Sequence, residues 1–168
     1  MMNEIGYEFI NYHLIEIVFN LDELNIEVIK LSHDADDING YILSDNDKSI
    51  VYITDTGYIN VKNHNKLLNK NVYIMESNHD VNMLMKGKYP YHLKMRILGD
   101  KGHLSNKDSA SYLSKFIGNN TKHIILAHLS HENNNPDIAL NNLKEVLNEN
   151  NLNILVAQQE NRTELIEV

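Results

Sequence analysis

The chain has 168 residues, 42% of them hydrophobic, which is enough for the core of one compact domain or a large part of one. It has no cysteine, so disulfides and thiolate metal sites are excluded; any metal must be held by imidazole and carboxylate, which suits zinc, manganese or iron. Fifteen Lys and Arg against 23 Asp and Glu give a net charge of −8, which argues against a surface built to coat nucleic acid but permits a local phosphate site once cations are bound.

Residues 16–19 and 26–31 read as strands around the turn at 20–23, and 40–43 and 50–54 read as a second pair around 44–47. The pattern then changes. Brief apolar runs at 72–75, 124–127 and 153–157 alternate with helical stretches. Ser105 with Asp108 predicts the start of a helix through Ala110, Leu113 and Phe116, ended by Gly118. Asn135, Pro136 and Asp137 predict another, with Ile138, Leu140, Leu143, Val146 and Leu147 on one face. No repeat and no Pro- or Gly-rich linker divides the chain, so a single domain over 1–168 is expected, of α/β or layered α+β class. No apolar run reaches the length of about 18 residues that a membrane span needs, and residues 1–5 lack the positive flank of a signal peptide. The expected location is the cytoplasm.

Five polar residues punctuate this pattern where apolar runs stop: His33, Asp55, His79, His103 and His128, at intervals of 22, 24, 24 and 25 residues. Regular strand-loop-helix units converge their strand ends on one sheet edge, which is how an α/β metallohydrolase builds a site. Asp55 follows the strand at 50–54 and precedes Gly57; a carboxylate at a buried strand end is costly unless paired or metal-bound, although an Asx turn also fits. His128 fits a metal ligand or a hydrogen-bonded core histidine. His103 stands two residues before the predicted cap Ser105, where free backbone N–H groups would hold an anionic oxygen beside a proton-donating imidazole; a packing role also fits. Glu76, His79 and Asp80 fit either the site or a helix start, and His131 either its surroundings or a polar loop. His13, His64, His92 and His123 carry no functional reading. The phosphate-binding, dinucleotide-binding, serine-hydrolase and H-E-x-x-H motifs are absent.

Several ordered blocks carry a more specific likeness. Ser32-His33-Asp34-Ala35-Asp36-Asp37 with Gly40-Tyr41, Thr54-Asp55-Thr56-Gly57-Tyr58 and Glu76-Ser77-Asn78-His79-Asp80 are followed by the run from Arg96 to Asn106 and that from Leu126 to Asn134. The series resembles the YycJ/WalJ group of metallo-β-lactamase-fold hydrolases, relatives of tRNase Z and of the phosphodiesterase PhnP, over about residues 25–157. The resemblance implies His33 as a ligand of a first metal, Asp55 as the carboxylate bridging two metals and His128 as a ligand of the second. It implies His103 as the residue assisting phosphodiester cleavage and Glu76 as the glutamate of a neighbouring strand end; the role of His79 is open.

The family's H-x-H-x-D-H motif does not occur in the chain. The resemblance therefore implies the C-terminal half of an αββα sandwich, N-terminally truncated, with an incomplete site for two divalent ions, zinc or manganese. The function so implied is a metal-dependent phosphodiesterase, an exonuclease with DNA rather than RNA as substrate, incomplete alone. The alternative is a non-catalytic half that docks with a separate N-terminal half. A thioester or lactam hydrolase is disfavoured because Gly102-His103-Leu104-Ser105-Asn106 resembles the phosphodiesterase branch. The expected partners are nucleic acid and the missing half or a second copy, with no membrane; the isolated chain is expected to associate and to bind zinc weakly.

Overall fold

The structure is a computed structural model that describes residues 18–147 and 151–168. The first two residues of the strand predicted at 16–19 lie outside it. Strands β1 (Val18–Leu21) and β2 (Leu24–Lys30) form one hairpin, and β3 (Asn39–Asp45) and β4 (Lys48–Ile53) form the next. Each turns through two residues, with Asp22 at φ 53° and Asn46 at φ 49°. Asp and Asn tolerate this left-handed conformation, and tight hairpins require it. Parallel strands β5 (Val72–Glu76), β6 (His123–Ala127) and β7 (Asn153–Val156) complete a seven-stranded sheet whose spatial order equals its chain order.

Among the described residues five helices connect or flank the parallel strands: α1 (Val61–Leu67), α2 (Val81–Lys86), α3 (Tyr91–Leu98), α4 (Asn106–Phe116) and α5 (Pro136–Val146). Their starts follow the local chemistry. Asn60, Asp80, Ser105 and Asn135 each accept a backbone N–H of the first turn, satisfying a donor the helix itself leaves open. The face predicted for α5 holds at Leu143 and Leu147, both buried, and needs correction at Ala139, which is buried, and Val146, which is 47% exposed. The small Ala139 and Leu143 pack into the core that α4 also enters through Ala110, Leu113 and Phe116.

Strands added in one direction by right-handed crossovers place their helices on one side. Accordingly, the inward rows Ile42–Val51–Tyr73–Ile124 and Ile53–Met75–Leu126 pack with residues of α1, α4 and α5 in one core. The alternate rows point the other way. There Phe19, Ile26, Tyr41, Leu43, Ile50, Tyr52 and Ile74 line an open apolar trough of about 450 Å³. The sheet is thus apolar on both faces, as in the middle of a layered fold, and one face has no covering element among the described residues.

Candidate metal centre

Because β4, β5 and β6 run parallel, their C-terminal ends share one edge of the sheet. Asp55 lies two residues past β4, Glu76 is the last residue of β5, and His128 is the first past β6. Asp55 has φ 61° and His128 φ 59°. Non-glycine residues in this region are uncommon and cluster at functional sites.

The Glu76 side chain is fully buried and accepts four donors. Its Oε1 takes Nδ1–H of His103 and of His128, each at 2.7 Å. Its Oε2 takes the backbone N–H of Thr56 at 2.9 Å and of Leu104 at 3.3 Å. Burial alone pushes the carboxyl upward, but the hydrogen bonds from the two histidines outweigh it and hold Glu76 below the ordinary glutamate range. The same bond raises His128 above the ordinary histidine value, against burial. Asp55 Oδ1 completes the cluster, 3.6 Å from His128 Nε2 and 3.9 Å from His103 Nδ1.

Donor atoms of Asp55, Glu76, His103 and His128 all lie within 4.8 Å of one another. A carboxylate that binds Nδ1–H of an imidazole fixes its tautomer and leaves Nε2 as a lone-pair donor, the usual support of a metal-bound histidine. Oxygen and imidazole donors fit a divalent cation. Glu76 is already saturated by its four donors, so it holds the imidazoles in place, and Asp55 and His128 offer the free ligand atoms.

His33 lines the same cleft, which has a volume of about 470 Å³. Its Nδ1–H donates to Gly102 O at 3.0 Å, and its ring centroid is 4.8 Å from that of His103. His131 is at the exposed rim. His79 corrects an expectation, for it does not line the cleft. It is 1% exposed and neither ring nitrogen has a hydrogen-bond partner. Its backbone instead bridges to Ser105 and accepts Asn106 N–H at 2.9 Å. The anion-binding helix start expected beside His103 is corrected by the same contacts: Ser105 and Asn106 are buried beneath His79 and do not reach the cleft.

Burial pushes His79 below the ordinary histidine value of 6.5, so the unfolded chain binds a proton there that the folded chain refuses. Stability linked to this group is therefore present above 6.5 and is lost as pH falls from 6.5 toward the folded value. His79→Leu should flatten that part of the slope while leaving neutral-pH stability equal or higher, read from denaturant midpoints across the range. An unchanged slope would show that His79 does not carry it.

Tyr89, Arg96, Asn78, Ser130 and Gln159 also line the cleft. Sequence reasoning missed them as site residues. Arg96 and Asn78 lay inside blocks already noted, but nothing in the spacing marks Tyr89 or Gln159.

An antiparallel start, a parallel finish, helices on one face and carboxylate and histidine at adjacent strand ends define the metallo-β-lactamase fold. Solved structures agree: YhfI from Bacillus subtilis, a metallo-β-lactamase fold protein, aligns over 84% of this chain and 49% of its own at TM-score 0.61 and 16% identity. A diphosphatase of the PhnP family aligns over 92% and 49% at TM-score 0.58 and 16% identity, and human tRNase Z, short form, over 68% and 39% at TM-score 0.51 and 16% identity. Within that fold the chain is a YycJ/WalJ-like member. It is 40% identical over 127 residues to the exodeoxyribonuclease YycJ of Bacillus anthracis, covering 76% of this chain and 48% of that protein. It is 44% identical over 117 residues to the exodeoxyribonuclease WalJ of Streptococcus pneumoniae, covering 70% and 44%. The chain spans about half the length of the curated relatives it matches. No protein-family model matches it. Among the described residues no helix is long and apolar enough to cross a membrane.

Proposed function

We propose that the chain forms half of the catalytic centre of a metal-dependent phosphodiester hydrolase acting on DNA, an exodeoxyribonuclease, and corresponds to the C-terminal half of that enzyme. The observation that supports this best is the buried Glu76 carboxylate holding two imidazoles by Nδ1–H at 2.7 Å each, beside Asp55. Asp55, His128 and His33 would hold the cations, zinc or manganese, with the remaining ligands supplied by a segment outside these 168 residues. When bound, such ions supply Lewis acidity, a nucleophile at neutral pH and charge neutralisation at the phosphate.

His103 has a different task in this reading. Glu76 fixes its Nδ1–H, so Nε2 is the atom that delivers a proton to the leaving oxygen of the nucleotide. The buried carboxylate stabilises the imidazolium before transfer and is at no point required to leave its four donors. Glu76 therefore couples a proton-donating histidine to a ligating one through a single oxygen, Oε1.

The apolar sheet face favours a second reading in which the chain is non-catalytic until a separate half covers it. One experiment addresses both. The chain is combined with the missing half of a relative, supplied with zinc or manganese, and assayed on end-labelled DNA; Asp55→Asn is then compared with wild type. Metal content and hydrolysis should fall together in the variant, because in this reading Asp55 is a ligand shared by both ions. Full metal content in the Asp55 variant, or no DNA cleavage by the wild-type assembly, would overturn the catalytic reading.

A further inference from the structure

Helix α3 is built unlike the others. Each of α1, α2, α4 and α5 buries at least one side chain, whereas α3 buries none. Its attachment comes from Lys94, whose Nζ donates to Met85 O and Gly87 O at 2.7 Å each, and from the segment that follows: a Cβ on Gly102 would collide with the carbonyl oxygens of Arg96 and Ile97, and one on Gly57 with the backbone of Asp100. These close approaches fix the end of α3 against the loops that carry His103 and Asp55. Leu93, Arg96 and Ile97 share the helix face that lines the cleft, joined by Tyr89 from the preceding turn.

The charge of this segment opposes that of the chain. Residues 81–107 carry Lys86, Lys88, Lys94, Arg96, Lys101 and Lys107 against Asp100 alone, a local +5 within a net charge of −8. Lys86, Lys88, Arg96 and Lys101 are exposed. Arg96 donates Nε–H to Asp34 Oδ2, and no other partner of its guanidinium is found among the described residues. One edge of the fork is thereby anchored while the terminal nitrogens remain for an oxyanion in the cleft. Arginine held in this way suits a phosphate better than a mobile lysine does.

We infer that the α2–α3 segment is the strand-guiding wall of the site, with Arg96 binding a phosphate of a single nucleic-acid strand and Tyr89 offering its ring to a base. This rests on the hydrolase reading above and adds the subsite that reading lacks. Charge complementarity selects the occupant: a polyanion meets the basic stretch of an acidic chain, and the cleft it borders runs directly to Asp55 and His128. An aromatic ring beside phosphate-binding cations is the general arrangement for holding single strands. Arg96 and Tyr89 are positioning residues in this scheme.

The test is binding, which separates it from catalysis. Fluorescence anisotropy of a short labelled single-stranded DNA is followed with the full chain in excess chelator, across a salt series. Arg96→Gln should weaken binding about tenfold and make the salt dependence shallower by about 0.7 in log–log slope, the worth of one single-strand phosphate. Tyr89→Ala should weaken binding by a similar factor, about tenfold, with the slope unchanged, since stacking releases no counterions. Lys62→Gln and Lys122→Gln, exposed and away from the cleft, should bind as wild type. Absent DNA binding by the wild type, equal losses in the remote lysine variants, or wild-type binding by both cleft variants would each overturn the inference. A wild-type assembly that still cleaves bis(p-nitrophenyl) phosphate would show in that event that the hydrolase reading survives without this wall; DNA binding by a chain whose assembly cleaves nothing would show the reverse.

Discussion

Glu76→Gln should destabilise the metal-free chain by about 3 kcal/mol, because four donors converge on a side chain that would then present only one acceptor oxygen. If the amide oxygen faces the imidazoles, its NH₂ group meets the N–H groups of Thr56 and Leu104; turned the other way, its NH₂ group is satisfied only if both imidazoles shift their proton to Nε2, which removes the Nε2 lone pair. One orientation leaves donors unpaired, and the other forfeits the tautomer that Glu76 fixes. The pH dependence has a defined shape. Glu76, held below its ordinary 4.5, contributes stability that is full above 4.5 and is lost as pH falls through its folded value. His128, raised above its ordinary 6.5, contributes stability that is full below 6.5 and is lost as pH rises through its folded value. The gap between wild type and variant should therefore be widest between 4.5 and 6.5 and should narrow on both sides. Denaturant unfolding in chelator measures it, and a variant as stable as wild type throughout would mean that the buried carboxylate does not organise the site.

His103→Ala, in the assembly of chain and missing half, should lower turnover by roughly 10²–10⁴ with metal content near wild type, the usual worth of a positioned proton donor. Glu76 Oε1 keeps its bond from His128 in this variant, so the ligand side of the cluster stays in place. The loss should shrink on a substrate whose leaving group is an acidic phenol, because that oxygen departs without a proton. Equal losses on both substrates, or loss of metal, would make His103 a ligand or a packing element.

The parts of this structure that local chemistry specifies were legible in the sequence. Ser105 and Asn135 cap helices because each needs only a donor two or three residues away. Both hairpins turn within the predicted segments for the same reason. Spacing read less well. The intervals of 22 to 25 residues follow the strand-helix period and locate strand ends, but they say nothing of where a side chain points. His79 shares the spacing of Asp55 and His128, yet β5 ends at Glu76, and three residues later the chain has already turned under the start of α4. The double role of Glu76 was illegible for a related reason: its four donors come from 20, 27, 28 and 52 residues away and meet only in the fold. Helix α3 has no core-facing stripe, so periodicity could not single out its cleft face.

The left-handed backbone at Asp55 and His128 sets this centre against the stability of the chain that makes it. Each such residue costs of order 1–3 kcal/mol that glycine at the same position would not. Random substitution selected only for thermal resistance would be drawn to these two positions, and every success there would remove a side chain that the proposed centre uses. A thermostable descendant of this chain is thus best sought in its hairpins and helix surfaces, where robustness and activity do not compete.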